Sequence, residues 1–300
     1  MTMTQSDNQR DNMRPKRISP ISFPPFTPIL AQPGKGDSEA VRDAFRECRF
    51  ALSPDINWLQ QTLVLQRDLV EASYPTKYRN PRYAASLLLW SRIYSTGIET
   101  LRLTTLARYA ACPSLIRSCI EWLGSESAVE EKQGEDFVSW LNAAFIPNQE
   151  KAATEFGMGQ FFSSEMIAAD QELAIAYQGA TELARPHFGV SALLLAPESN
   201  RDRIQIHWGD ESFHLGWSEM LFEWQILIQQ RQVNLALNSK LFAQDSSVRD
   251  TWQKLNKEAE LILNKSSRCK LESVRIDGQD RLIILNFRRR ASGAPQRILL

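Results

Sequence analysis

Little in this sequence invites metal, thiol or nucleotide chemistry. The four cysteines, Cys48, Cys112, Cys119 and Cys269, form no C-x-x-C pair, which argues against a zinc ribbon, a thioredoxin-type motif or a secreted disulfide framework. Unpaired cysteines suit a reducing compartment, so a cytoplasmic location is expected. No apolar run reaches the ~18 residues that a membrane span needs. The proline-rich, polar start lacks the basic-then-apolar order of a secretory signal, and neither export nor membrane insertion is expected. Pro33-Gly34-Lys35-Gly36-Asp37-Ser38 has the wrong spacing for a phosphate-binding loop, Gly157-Met158-Gly159 lacks the third glycine of a dinucleotide fingerprint, and no G-x-S-x-G elbow occurs.

Histidine is scarce as well: His187, His207 and His214 are all there are. His207, Glu211 and His214 stand near one another in sequence, but their spacing fits no established ligand motif, so no metal and no cofactor is expected.

Charge is present but cancels, with 35 basic and 35 acidic side chains. The neutral total hides a segregation. Residues 1–36 carry five basic and two acidic side chains, residues 263–300 nine basic and three acidic, and the stretch between them 21 basic and 30 acidic. Arg281, Arg288, Arg289, Arg290 and Arg297 gather in the C-terminal segment, with Lys265, Arg268 and Lys270 nearby. That cluster suits nucleic-acid phosphates; the alternative is internal pairing with an acidic belt that includes Glu126, Glu130, Glu131, Glu135 and Asp136.

Apolar periodicity carries most of the fold information. Residues 1–36 hold six prolines and little periodic pattern, which predicts a flexible arm. Helical spacing begins at Ser38 with Val41, Ala44, Phe45 and Cys48 on one face. Ser53-Pro54 and Asn80-Pro81 each place proline at a helix start. The second opens a long segment through Trp90 and Leu101 toward Cys112-Pro113, with a bend expected at Gly97. Further helices are predicted over Leu115–Leu123, Phe137–Phe145, Met166–Leu183, Met220–Leu241 and Ser247–Ile262. Arg203-Ile204-Gln205-Ile206-His207-Trp208 alternates as a half-buried strand does, and Asp277-Gly278 between two apolar runs signals a hairpin. Together these predict a mainly α chain: a flexible arm over 1–36, a multi-helix bundle over 37–264 with an irregular, β-containing stretch at 186–217, and a basic β-hairpin and tail over 265–300.

Polar residues on apolar segments are the remaining candidates. Arg117 and Glu121 lie four apart on the otherwise apolar run Leu115–Leu123, where pairing with each other is the simplest role. The run Leu115-Ile116-Arg117-Ser118-Cys119-Ile120-Glu121 resembles the inner-helix R-x3-E pattern of bacterial HEPN-like and abortive-infection-type helical proteins. Leu183-Ala184-Arg185-Pro186-His187-Phe188-Gly189 resembles their helix-ending histidine segment. This resemblance spans about residues 80–240. It implies a bacterial defence or regulatory setting and, for the ribonuclease members, an arginine and a histidine four to six residues apart on a helix. Arg201 and His207 have that separation, in a stretch that reads as strand.

With no convergent catalytic constellation, the expected role is a non-enzymatic helical module that binds a protein partner or its own copy. The alternatives are a metal-independent ribonuclease using Arg201 and His207, or Arg117, Glu121 and His187, and a nucleic-acid-associated protein using the basic tail.

Overall fold

The computed structural model describes residues 30, 32–73, 81–131, 164–239 and 246–300. These form nine α-helices and a small antiparallel sheet at the C-terminal end, as the periodicity predicts. In chain order the helices are α1 (Glu39–Ala51), α2 (Ser53–Ser73), α3 (Pro81–Thr105), α4 (Cys112–Glu131), α5 (Ser164–Ala169), α6 (Gln171–Ala184), α7 (Phe188–Leu195), α8 (Leu215–Asn238) and α9 (Ser246–Leu263). The strands are β1 (Lys270–Ile276), β2 (Gln279–Phe287) and β3 (Gln296–Leu299), in the order β1-β2-β3. The helix predicted over Phe137–Phe145 and nearly all of the proline-rich arm lie outside the described residues.

Helix α8 is the axis of the body. Residues all round it are buried, which marks a helix enclosed by neighbours rather than one with a wet face. On one side Met220, Trp224 and Leu227 join α4, α6 and the sheet; on the other Phe222, Ile226 and Val233 join α2, α3 and α9. Polar side chains run along α8 too, and Gln229 and Gln230 are bonded across to its neighbours. Trp90 Nε1 donates to Gln66 Oε1 at 2.6 Å, and Gln66 passes the chain to Gln229 on α8. Gly97 sits opposite, where a Cβ would come within 2.8 Å of Gln229 Nε2. Helix α3 runs unbroken through Gly97, and the glycine serves close approach to Gln229.

The segment Met166–Leu183 is two helices. Asp170 interrupts it, accepting the Leu173 amide at 3.1 Å as the cap of α6 and pairing with Arg231 of α8. The hairpin turn is as predicted, with Asp277 and Gly278 both at positive φ (50° and 79°) joining strands that pair Ile276 with Gln279. The basic tail is more ordered than its composition suggests, because residues Gln296–Leu299 add a third strand to β2.

Buried Arg268 ties the sheet to the bundle. Its Nη1 lies 2.6 Å from Asp55 at the start of α2, and its Nη2 donates to the Glu219 carbonyl at 2.8 Å. Nε is 3.3 Å from Glu223, near enough for charge but off the line of a hydrogen bond. The Glu219 carboxylate accepts the Cys269 amide at 2.9 Å. Among the described residues no helix is long and apolar enough to cross a membrane.

Candidate functional site

The polar candidates on the helices are dispersed. Arg117 and Glu121 form a half-exposed pair on α4 at 3.2 Å, and Tyr177 of α6 donates its hydroxyl to Glu121 at 2.9 Å. Glu121 Oε1 is thereby held in a local surface network. His187 caps α7, its Nδ1 accepting the Val190 amide at 3.4 Å. It lines a cleft of about 460 Å³ with Glu182, Val190, Leu193, Ser199 and the C-terminal Ile298–Leu300. Arg117 and Glu121 do not line that cleft.

His214 caps α8 in the same way, accepting the Trp217 amide at 3.3 Å, under the ring of Phe287. Burial first, and the nearby Arg289 second, hold its pKa down at about 4, so it is a neutral imidazole at pH 7. His207 faces Glu198 at 3.5 Å and Glu211 faces Ser38 and Arg108, so these three side chains have separate partners. Among the described residues no group of three His, Cys, Asp or Glu side chains is placed to hold a metal ion. All four cysteines are buried, and burial pushes the thiols of Cys48, Cys112 and Cys119 up to about 12 and that of Cys269 upward as well. None is poised as a thiolate.

The basic cluster divides. Arg281, Arg290 and Arg297 are exposed, whereas Arg289 turns inward between Asp210 at 3.1 Å and Glu198 at 3.5 Å, and Arg288 donates to the Ser267 carbonyl at 3.2 Å. A row of five guanidinia is thus reduced to three exposed ones, of which Arg281 also donates to Gln279 at 2.8 Å. The acids that the C-terminal cations meet are Asp55, Glu223, Asp210 and Glu198, with Lys270 pairing to Glu272 of its own strand. Glu126 and Glu130 of the expected belt bond instead to Ser86 and Ser239.

What these inward contacts hold is the connection between α7 and α8, residues 196–214. Asn200 Oδ1 takes the amides of Asp202 and Arg203 at 3.0 and 2.8 Å, closing a tight turn. Ser199 Oγ takes the Gln205 amide at 3.0 Å, and the His207 amide donates to the Leu195 carbonyl at 2.7 Å. Gly209, at φ 62°, then lets the chain reverse toward Asp210. Burial alone would raise the Asp210 pKa; hydrogen bonds from Ser212 and the charge of Arg289 outweigh it and hold the carboxyl below its ordinary range. A second anchor follows at once, with Ser38 Oγ donating to Glu211 at 2.8 Å and Arg108 bridging Glu211 and Asp37.

Between these anchors the alternation in Arg203–Trp208 is present, but it is no strand and its faces are the reverse of a half-buried one. Gln205 and His207 turn toward the body, while Ile204, Ile206 and Trp208 are 76%, 66% and 94% exposed. Arg201 is exposed on the same irregular connection, so Arg201 and His207 do not share a helix. Among the described residues nothing bonds the backbone amide or carbonyl of Ile204 or Ile206. The segment presents three large apolar side chains and an unpaired backbone edge to solvent. Phe188 and Leu299 nearby in the chain's α7 and β3 are exposed as well. Alternation signalled a segment with two unlike faces; which one points outward was the part that sequence could not supply.

Comparison of the chain with protein-family models, with curated proteins and with solved structures finds no match.

Proposed function

We propose that this chain is a non-enzymatic helical binding module that docks a protein partner along Ile204–Trp208. One observation carries the reading: an anchored segment outside helix and strand exposes three large apolar side chains, two of them on residues whose backbone groups are unbonded among the described residues. Exposed unpaired edges are templates for strand addition, in which main-chain hydrogen bonds give affinity and alternate side chains give specificity. Because Asn200, Ser199, Asp210 and Glu211 already fix the connection at both ends, little conformational entropy is left to lose on binding.

The surrounding charge favours protein over nucleic acid. Arg201 and Arg203 are offset by Asp202, Glu198 and Glu211, so there is no one-signed field to attract a polyanion. Selection of random decapeptides against the immobilised chain tests the reading. Extended apolar ligands should be enriched, with binding at least tenfold weaker to Ile206→Asp and Trp208→Ala. Ligands indifferent to both variants would count against it. Incubation with RNA separates the enzymatic alternative: the RNA should stay intact, and cleavage abolished by His207→Ala or His187→Ala would overturn the non-enzymatic reading.

A further inference from the structure

We infer that the apolar face of Ile204, Ile206 and Trp208 is a docking surface for residues 21–29 of the same chain, Ile-Ser-Phe-Pro-Pro-Phe-Thr-Pro-Ile. The inference rests on the docking role proposed above and adds its regulation: an outside partner reaches the face only by displacing this segment.

The position of the segment's root selects it. Asp37 Oδ2 accepts the Gly34 amide at 2.7 Å and closes a turn, the next residue, Ser38, donates to Glu211 at 2.8 Å, and Arg108 bridges Asp37 and Glu211. Glu211 is three residues from Trp208, so the N-terminal segment is fastened to the connection that carries the face. Leu30 packs against Val41, Phe45 and Leu106, one helical turn from Ser38, and residues 21–29 start from there. Extended as a polyproline helix, those nine residues reach about 28 Å. Ile204 to Trp208 spans at most about 14 Å, and Trp208 to Glu211 at most about 11 Å. The tether is therefore long enough to cross the face and short enough to keep a millimolar effective concentration there.

The chemistry of the segment matches the face. A polyproline helix has three residues per turn, so Phe23, Phe26 and Ile29 fall on one stripe. Pro24, Pro25 and Pro28 favour that conformation before contact, which lowers the entropy lost on docking, and exposed aromatic rings such as Trp208 are the surfaces on which such segments lie. Residues 21–29 carry no charge, which suits surroundings where Arg201 and Arg203 are offset by Asp202, Glu198 and Glu211. Contact is made by side chains onto the face, so no strand register is needed and the turn that bonds the Asp210 amide to the His207 carbonyl stays as it is. At an effective concentration of about 1 mM, an intrinsic dissociation constant of about 0.5 mM keeps the face covered about two-thirds of the time.

A thiol at position 206 reads that cover directly, because the four native cysteines are buried. In the full chain carrying Ile206→Cys, alkylation by iodoacetamide should be about threefold slower than in the same chain also carrying Phe23→Ser and Phe26→Ser. The ratio should not change with protein concentration, and a synthetic peptide of residues 19–31 at millimolar concentration should slow the faster variant. Circular dichroism confirms that both fold. Equal rates as fast as that of an unstructured cysteine peptide, or a peptide without effect, would overturn the inference and leave the face open to an outside partner. Equal rates that are both slow would mean that the face is covered without Phe23 and Phe26, and the docking role falls with the inference. Protection that fades on dilution would overturn it as well, by placing the segment on another copy.

Discussion

Replacing Glu126 by glutamine should make the protein more stable at alkaline pH while leaving it nearly unchanged at about pH 4. Glu126 lies on α4 with no solvent exposure, its Oε1 accepting the Ser86 hydroxyl of α3 at 2.6 Å. Gln232 of α8 lies beside it, and Glu130 is one turn further along the same helix. Burial is the largest influence and drives the carboxyl toward its neutral form; Glu130 adds to it, while the hydrogen bond from Ser86 and the nearby amide of Gln232 oppose it. The outcome is a pKa raised from 4.5 to about 8.

A carboxyl whose folded pKa exceeds its unfolded value contributes stability that is complete below the unfolded pKa and lost as pH rises through the folded one. Between pH 4.5 and about 8 the wild type therefore loses stability at this site. At 1.36 kcal/mol per pH unit the full loss is on the order of 4–5 kcal/mol. Glutamine keeps the acceptor for Ser86 and cannot ionise. The stability difference between variant and wild type should thus grow from near zero at about pH 4 to several kcal/mol at about pH 9, measured by urea unfolding at fixed ionic strength. Glu223, raised to about 7 by burial against the pull of Arg268, gives the wild type a slope of the same sign. That slope is common to both proteins and cancels in the difference. Parallel stability curves across this range would refute the assignment of a neutral carboxyl to position 126.

Other outcomes follow from the same contacts. Arg268→Met should cost about 3–5 kcal/mol in urea unfolding, because it leaves Asp55 and Glu223 in a buried site without their cation; a loss below 1 kcal/mol would mean that the acids find water or protons instead. Gly179→Ala should cost about 1–3 kcal/mol, since the added methyl enters the space of Leu271 and meets Trp224 at 3.1 Å; a neutral effect on the thermal midpoint would show that the α6–sheet contact is slack. Trp208→Ala should change stability by less than ~0.5 kcal/mol, given its 94% exposure, and a larger loss would place the ring against the body. Arg281, Arg290 and Arg297 changed together to alanine should leave the fold intact and abolish any salt-sensitive affinity for RNA; affinity that persists unchanged would exclude a role for the tail. Deleting residues 288–300 is a poorer probe of the same point, because it removes β3 and the Arg289 anchor.

The helices were legible because burial recurs with the helical period whatever the neighbours are. Val41, Ala44, Phe45 and Cys48 are buried just where their spacing puts them. The break between α5 and α6 was not legible: Ile167, Leu173, Ala176, Ala180 and Leu183 are still buried at nearly helical intervals across it. An aspartate reads as a polar position until its capping bond to Leu173 and its ion pair with Arg231 are seen. The C-terminal arginines show the same limit. Composition located the charge; that Phe287 packs against His214 and Arg289, two residues on, turns toward Asp210 is visible only in the fold.

The candidate site was the least legible part, for a reason rooted in the period itself. A two-residue alternation distinguishes two faces and assigns neither to the interior; burying Ile204, Ile206 and Trp208 would require an apolar surface on the body side of the connection. The groups there are polar. Ser199 Oγ and the Leu195 carbonyl are acceptors that the amides of Gln205 and His207 can satisfy, and Glu198 lies opposite the His207 ring. Turning the segment over would bring isoleucine side chains against these groups and break both hydrogen bonds, at a cost of about 1 kcal/mol each. The apolar face is therefore held outward by the polar one, and its exposure is a property of the folded chain that any partner would meet already in place.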